Sequence, residues 1–416
     1  MRRFRNLALV AWRNVRLAPR RSLAAIVGMG SSLTLVLLQL GFLNAVRVTA
    51  TNLFDLLEFD IVLTAPSYDT MYDTGFVPRD RLTLAESVST VGSSSPLWLT
   101  FGQWRCPPYP LVPGTAVQPK AGSRLERARD RLSGRYAPRP MKRRQLLVIG
   151  FDSERDPFRR PLRESVETTL FRLRLDSKVL LNTRSHPDFG WDLWPSFTDW
   201  ELERSAVDVV GGFDMPRGFG ADGAIVATRG TFLRHCPWPT ADVVSLGLLR
   251  VKPGTEEATI ATLREVLPSD VLVLSREEFC ERERDHWVTQ TSTGQIFAIG
   301  VIVATIVAAV VVYQVMSNDV RNRLPEFATL KAMGHGDSAP AVIVVVQSLI
   351  LSLASYAPAV LFAWLLYWLT EALATIPMVL TSRNLILALA LSLSVGLVVS
   401  LLTARKLRAA DPAELF

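Results

Sequence analysis

VTQTSTGQIFAIGVIVATIVAAVVVYQVMSN, residues 288–318, runs for 31 residues without a single Asp, Glu, Lys or Arg. Three further runs share this property, at Ser22–Val46, Ser338–Thr370 and Asn384–Ala404. About 20 apolar residues suffice to cross roughly 30 Å of hydrocarbon. A helix in a soluble core seldom continues this long without a polar face. The four runs therefore predict four transmembrane helices.

Charge is distributed unevenly around these runs. The 416 residues are 49% hydrophobic and 20% charged, with a mean hydropathy of +0.23, so charged and apolar segments must be separated along the chain. Residues 47–287 hold 32 basic and 33 acidic residues, whereas the remainder holds 14 basic and 6 acidic ones. The net charge of +7 therefore comes from the flanks of the runs. It indicates membrane topology and argues against a nucleic-acid partner.

The basic flanks predict the orientation of the chain. Seven Arg and no acid precede the first run, and three basic residues lie in each of 319–337 and 405–416. By the positive-inside rule, these segments and both termini are cytoplasmic, and 47–287 lies outside. The first run exceeds the roughly 7–15 apolar residues of a cleavable signal, so it predicts an uncleaved anchor. We expect a multi-pass membrane protein with both termini in the cytoplasm.

The predicted fold class is an α-helical membrane domain of four transmembrane helices plus an α+β extracytoplasmic domain inserted between helices 1 and 2. Its segments are a cytoplasmic amphipathic helix (1–21), TM1 (22–46), the extracytoplasmic domain with stalk extensions (47–287), TM2 (288–318), a cytoplasmic coupling loop (319–337), TM3 (338–370), a short external loop (371–383), TM4 (384–404) and a cytoplasmic tail (405–416).

Short β-rich runs alternate with helical stretches in the exterior segment, which is typical of an α/β or α+β domain. The end of the segment predicts a βαβ unit, with a strand to Val251, a helix at Glu256–Leu267 and a strand at Asp270–Ser275. Residues 104–140, rich in Pro, Gly and Arg, predict a long loop. The strand that ends at Val251 begins at Val243. The other predicted strands are Asp60–Thr64, Gln145–Phe151, Val179–Asn182, Val207–Gly212 and Ala224–Thr228.

Two segments predict extensions of the membrane helices into the exterior. Val46–Leu57 keeps apolar residues at helical spacing after the first run. Arg276–Thr293 is densely charged, contains neither Pro nor Gly and leads directly into the second run. We expect one uninterrupted helix there, and we expect the two extensions to pack side by side as a stalk.

Motifs of catalysis are absent from the sequence. There is no Walker A, GxSxG, HExxH or CxxC pattern, and the four His residues are scattered singly. We therefore predict no catalytic, cofactor or metal residues, with any ATP bound by another subunit. Because the apolar runs carry no ionisable side chain except Tyr, a proton- or sodium-coupled carrier is disfavoured.

The three cysteines, Cys106, Cys236 and Cys280, leave open one disulfide plus a free thiol.

The coupling loop 319–337 has the pattern of a short amphipathic helix, which Pro325 can begin and Gly334 can end. Such a helix could dock onto a soluble partner, and an ordinary interfacial turn is the alternative. The predicted docking residues are Leu324, Pro325, Glu326, Phe327, Leu330 and Lys331.

The N-terminal segment is a second candidate docking element. Phe4, Leu7 and Ala11 lie on one face of a predicted amphipathic helix, with most Arg residues on the other side. Such a helix can also lie on the lipid of the inner leaflet. A simple topology signal remains the alternative, because seven Arg serve that purpose alone.

Several stretches resemble a known family. YQVMSNDVRNRLPEFATLKAMG at 313–334 and RKLRAADPAELF at 405–416 are similar to the permease of the heterocyst glycolipid exporter, the DevC type of the MacB/FtsX-like permease superfamily. The similarity extends over nearly the whole chain, although the segment 104–140 is longer and more basic than the family pattern. It also includes DIVLTAPS at Asp60, FVPRDRL at Phe76, LLVIGFDSERDPFRRP at Leu146 and VSLGLLRVKPGT at Val244.

This resemblance implies a permease subunit of an ABC-type exporter in a bacterial inner membrane, driven by a separate cytoplasmic ATPase that binds the ATP. It also implies a homodimer, a membrane-fusion adaptor and, as a further candidate, an outer-membrane channel. Lipid or glycolipid is the implied substrate class, and mechanotransmission is the implied mechanism. The rival hypotheses are a lipoprotein-releasing or FtsX-like division permease, and a membrane-anchored receptor or sensor without transport.

Overall fold

The chain divides into two compact units in a computed structural model that describes residues 2–105, 143–195, 198–326, 329, 338–374 and 376–409. The helical unit comprises Met1–Ala45, Gly294–Glu371 and Met378–Phe416. The sheet unit comprises Val46–Thr293 and Ala372–Pro377. The predicted α+β character is confirmed in the sheet unit, which combines strands with helices.

The strands of the sheet unit are β1 (Ile61–Thr64), β2 (Val77–Pro78), β3 (Val91–Arg105), β4 (Arg143–Phe151), β5 (Lys178–Asn182), β6 (Trp200–Leu202), β7 (Ser205–Phe213), β8 (Ala224–Thr228), β9 (Val243–Val244), β10 (Leu246–Val251) and β11 (Leu272–Ser275). Nine of them form one mixed sheet in the described part of the unit, in the order β11-β1-β10-β3-β4-β8-β5-β7-β6. Most neighbours are antiparallel, whereas β4–β8 and β5–β7 are parallel. The edge strand β6 also pairs with β3, through Trp104 and Leu202. Strands β2 and β9 form a separate antiparallel pair.

Both faces of the large sheet are buried. Alternate residues of β4 divide between two hydrophobic clusters, Leu146 and Val148 in one and Leu147 and Ile149 in the other. This division follows from the two-residue period of a strand. Helices α4 (Asp80–Glu86), α6 (Arg229–His235) and α7 (Glu256–Val266) contribute to the first cluster, and α3 (Asn52–Asp55), α5 (Leu162–Leu173) and α8 (Arg276–Thr289) to the second. The sheet therefore lies between two layers of helices.

Every short run predicted as a strand contains a strand in the structure. The predicted βαβ unit is present as β10, α7 and β11, but β1 lies between β10 and β11 and is antiparallel to both. The interval between β10 and α7 includes Gly254 at φ +77°, a conformation that glycine adopts readily. The predicted loop 104–140 lies outside the described residues from 106 onward. Its first two residues, Trp104 and Arg105, belong to β3.

Helix α8 differs from the prediction of an uninterrupted helix over Arg276–Thr293. It ends at Thr289, and helix α9 begins at Ser292. The hydroxyls of Thr289 and Thr291 donate to backbone carbonyls four residues earlier. Side-chain bonds of this kind compete with the helical backbone pattern, so the TQTST sequence is a physical reason for the break.

Four helices are long and apolar enough to span a membrane in the described part of the chain. The spans are Pro19–Ala50, Ser292–Asn322, Ala339–Leu373 and Ser382–Thr403. The helices that carry them are α2 (Pro19–Ala50), α9 (Ser292–Asn322), α10 (Ser338–Ala374) and α11 (Ser382–Ala409), preceded by α1 (Arg2–Leu17). Many apolar side chains of α9 and α10 are exposed in the isolated chain, which is typical of helices that face lipid.

Small residues bring the helices of this unit close together. A Cβ added at Gly41 of α2 would lie 2.2 Å from Oη of Tyr367 on α10. A Cβ at Gly396 of α11 would lie 2.6 Å from Oγ of Ser352 on α10. The hydroxyl of Ser348 donates to the Gly396 carbonyl at 2.9 Å. Close approach at small residues is a common basis of helix association in membranes.

Candidate functional site

The first four residues of the coupling loop, 319–322, still belong to α9, which ends at Asn322. Residues 324–326 are helical, with Pro325 as the second residue of this segment, where its missing N–H has no cost. Leu324 is half-buried, and Pro325 and Glu326 are exposed. The side chains of the other predicted docking residues, Phe327, Leu330 and Lys331, lie outside the described residues.

Helix α1 is packed against the rest of the helical unit. Its Ala11 is fully buried, in a cluster with Val320, Ile343 and Val344. Ala11 therefore has no free surface within the unit, and the docking of this helix onto a partner stays a prediction. The side chains of Phe4 and Leu7 lie outside the described residues. The described apolar side chains that α1 exposes are Leu9, Val10, Trp12 and Leu17.

A buried arginine lies at the junction of α1, α9 and the coupling loop. The Nη2 of Arg323 donates to the carbonyl of Asn14 at 3.1 Å, and its Nε donates to Asp319 at 3.3 Å. Its Nη1 approaches Glu326 at 3.4 Å. The Asp319 carboxylate also accepts a bond from Nε2 of Gln347 on α10, at 2.8 Å. The Arg323 side chain is only 8% exposed, so these contacts replace its hydration.

Of these residues only Glu326 was among the predicted docking residues, whereas Arg323, Asp319 and Gln347 were not. In the sequence, Arg323 is one of the three basic residues of 319–337 that indicate membrane topology. Gln347 is one of several neutral polar residues inside the apolar runs. The spacing of Asp319, Arg323 and Glu326 was the available signal, because residues three and four apart are neighbours on a helix. The contact with Asn14 spans 309 residues of chain and has no signature in the sequence.

In the sheet unit, a fully buried carboxylate lies on α8. Glu283 accepts hydrogen bonds from the hydroxyl of Tyr68 at 2.7 Å, the backbone N–H of Met71 at 3.0 Å and Nε1 of Trp287 at 3.1 Å. Burial raises the pKa of Glu283 to about 7, although the three hydrogen bonds act in the opposite direction. The nearby guanidinium of Arg282 also favours the charged form.

Helix α8 also makes hydrogen bonds to the end of α2 and to the segment that follows it. Arg276 donates to the carbonyls of Leu57 at 2.9 Å and Phe54 at 2.8 Å, and it lies 4.6 Å from the centre of the Phe59 ring. Glu281 accepts a hydrogen bond from Arg47 at 2.5 Å. The two predicted stalk extensions therefore contact each other within the sheet unit.

The described residues contain no group of three or more His, Cys, Asp or Glu side chains that could hold a metal ion. His235 lies on α6 and is bonded to the Ser177 hydroxyl at 2.8 Å. Cys236 and Cys280 are buried free thiols in the two clusters on opposite faces of the sheet, so they do not pair with each other. Burial raises the pKa of Cys236 to about 12, which keeps this thiol protonated.

The second half of the helical unit matches a known family. The model of the FtsX-like permease C-terminal family matches residues 298–412. The match includes most of α9, the coupling loop, α10 and α11, and therefore three of the four candidate spans. No curated protein matches the chain.

Two solved structures resemble part of the chain at 7% sequence identity. The periplasmic region of MacB from Actinobacillus actinomycetemcomitans aligns over 54% of this chain and 92% of its own length, with a TM-score of 0.31. The extracellular domain of the noncanonic ABC-type transporter YknZ from Gram-positive bacteria aligns over 52% of this chain and 100% of its own length, with a TM-score of 0.30. TM-scores this low do not by themselves establish a common fold.

Proposed function

We propose that this chain, whose residues 298–412 are similar to FtsX-like permeases, is the permease subunit of an ABC-type membrane complex. The family match carries the proposal, and it is supported by four helices of sufficient length and apolarity to span a membrane. The chain has no Walker A motif, so ATP is bound and hydrolysed by a separate cytoplasmic subunit.

The coupling loop and α1 dock onto this ATPase. The exposed positions of Pro325 and Glu326 and the exposed apolar side chains of α1 support this role. The basic flanks of the spans support a cytoplasmic location for the loop and both termini. The sheet unit then lies on the outer side of the bacterial inner membrane.

The complex works as an exporter of the DevC type, in which motion passes from the ATPase through the stalk to the sheet unit. Contacts between α8 and residues 47–59 support such a relay. Two copies of the chain, a membrane-fusion adaptor and, as a further candidate, an outer-membrane channel complete the assembly. Lipid or glycolipid is the proposed substrate class.

Copurification of the detergent-solubilised chain with its partners, followed by mass spectrometry, tests this function. An ATPase with a Walker A motif in the recovered complex supports the proposal, and an adaptor in the same complex supports export. A peptidoglycan hydrolase in place of the adaptor supports a division permease. Recovery of the chain without any ATPase, from membranes that contain its natural partners, contradicts the proposal and favours a receptor or sensor.

Substitution in the coupling loop tests the docking element directly. Leu330→Asp should lower the amount of recovered ATPase about thirtyfold, because an unpaired charge in a docked apolar contact costs about 2 kcal/mol. Lys331→Ala should have a much smaller effect, because charges at the rim of an interface contribute little. Both variants should insert into the membrane normally. Equal recovery of the ATPase with both would exclude this segment as the docking element.

A further inference from the structure

Arg323 and its partner Asp319 join three parts of the helical unit that are separate in the sequence, namely α1, residues 319–326 and α10. Its guanidinium contacts the Asn14 carbonyl near the end of α1, Asp319 in the last turn of α9 and Glu326 at the start of the coupling loop. Through Asp319 the network continues to Gln347 on α10. One side chain thus links α1 and the coupling loop to two membrane helices.

The geometry of these contacts requires arginine. Nε, Nη1 and Nη2 each face a different acceptor, so the planar fork of the guanidinium is used in three directions. A lysine ammonium is a single point charge, and it cannot hold the three acceptors in this arrangement. Asp319 is 19% exposed and supplies the compensating charge. Glu326 is 61% exposed, so its contact with Arg323 is weakened by solvent.

The same network determines which face of α1 is available to a partner. Ala11 is buried against Val320 and Ile343, and three residues later the Asn14 carbonyl is bonded to Arg323. With this side of α1 held, Leu9 and Trp12 are 55% and 53% exposed. The end of α1 is also bonded to α2, because the hydroxyl of Ser22 donates to the Val15 carbonyl at 2.7 Å. The bond from Arg323 is the one that links the end of α1 to the coupling loop.

We propose that Arg323 is a positioning residue that holds α1 and the start of the coupling loop in one fixed arrangement for the docking of the ATPase. This inference rests on the proposed function, because it assumes that an ATPase binds these elements. Arg323 itself is buried and makes no contact with the ATPase. It acts through the elements that it holds.

The test compares Arg323→Met with Arg321→Met, a change of the same type at an exposed arginine two residues away. Arg323→Met should lower the amount of ATPase recovered with the purified chain roughly tenfold, the effect of losing about 1.4 kcal/mol of binding free energy. Arg321→Met should leave recovery as in the wild type. Equal recovery with the two variants would overturn the proposal.

A double variant separates positioning from stability. Arg323→Met leaves the Asp319 carboxylate without its cation, so the melting temperature of the solubilised chain should fall. In Asp319→Asn/Arg323→Met the charge is removed while Gln347 keeps an amide partner, and the melting temperature should recover. Recovery of the ATPase should remain low, because Asn14 still lacks its donor. If ATPase binding returned together with stability, Arg323 would have only a structural role.

The wild-type chain keeps the two hypotheses distinguishable. If the wild-type chain recovers no ATPase, the proposed function fails and Arg323 loses the role assigned to it here. If the wild-type chain recovers the ATPase and Arg323→Met recovers equally much, the proposed function stands and only the role of Arg323 is excluded.

Discussion

The carboxylate of Glu283 must find its hydrogen-bond donors within the protein, because its side chain is fully buried. Tyr68, Met71 and Trp287 supply donors to its two oxygens, but burial away from water still favours the neutral form. Burial therefore raises its pKa from 4.5 to about 7. The group consequently titrates between the acidic and the neutral range, where a surface glutamate is already charged.

The free energy of unfolding should depend on pH through this residue. Because the folded state binds the proton more tightly than the unfolded state, the stabilisation is complete below pH 4.5 and is lost as the pH rises to about 7. The loss should be at most about 3 kcal/mol. Melting temperatures of the full chain in detergent, followed by tryptophan fluorescence from pH 4.5 to 8, measure it.

Glu283→Gln should remove this part of the pH dependence, because the amide does not titrate. Glu277→Gln, a matched change at an exposed side chain of the same helix, should leave it as in the wild type. An identical pH dependence in the wild type and in Glu283→Gln would show that Glu283 does not titrate in this range.

At the scale of elements, Arg276 joins the start of α8 to the end of α3. Its guanidinium donates to the carbonyls of Phe54 and Leu57, at and just after the C-terminus of α3. The Phe54 carbonyl also accepts the backbone N–H of Leu57. Arg276→Ala should lower the free energy of unfolding by about 1–3 kcal/mol, because buried acceptors lose a charged donor.

Arg172→Ala is the control for this change, because Arg172 is an exposed residue of α5. Chemical denaturation of the full chain in detergent compares the two variants. Equal stability would mean that water replaces the Arg276 guanidinium at these carbonyls without cost.

The contact between α2 and α10 makes a second prediction at this scale. Gly41→Ala should destabilise the helical unit by about 1–3 kcal/mol, since the new Cβ would lie 2.2 Å from Oη of Tyr367. Gly28→Ala is a matched change on the same helix, where the nearest atom, in Val315, is 3.8 Å away. It should be neutral or slightly stabilising, because alanine has the higher helix propensity. Similar melting temperatures in detergent for both variants would contradict close packing at Gly41.

At the scale of the whole molecule, the distribution of Arg and Lys predicts the arrangement of the chain across the membrane. Alkaline phosphatase fused after Trp200 should be active, because we place the sheet unit outside. Fusions after His335 and Phe416 should be inactive, because those positions are predicted to be cytoplasmic. Activity at either of the last two positions would refute the proposed four-span topology.

The sequence by itself determined the four apolar helices, and it determined seven of the strand-forming runs. Both signals are local, because a long charge-free run or a short β-branched run carries its information within one element. Strand β3 is also buried along its middle, at residues 94–99, but its sequence lacks the local signal of a strand. Its sequence VGSSSPLWLTFGQWR contains Pro96 and two glycines, and Pro96 is paired with Gly247 of β10.

The tertiary structure alone decided the insertion of β1 between β10 and β11, the burial of Ala11 and the partners of Arg323 and Glu283. Each of these depends on groups that are far apart along the chain, such as the 309 residues between Asn14 and Arg323. Periodicity shows which face of a helix is apolar, but not which element covers it. A buried charge is stable only where several distant donors or acceptors converge, and that convergence exists only in the folded chain.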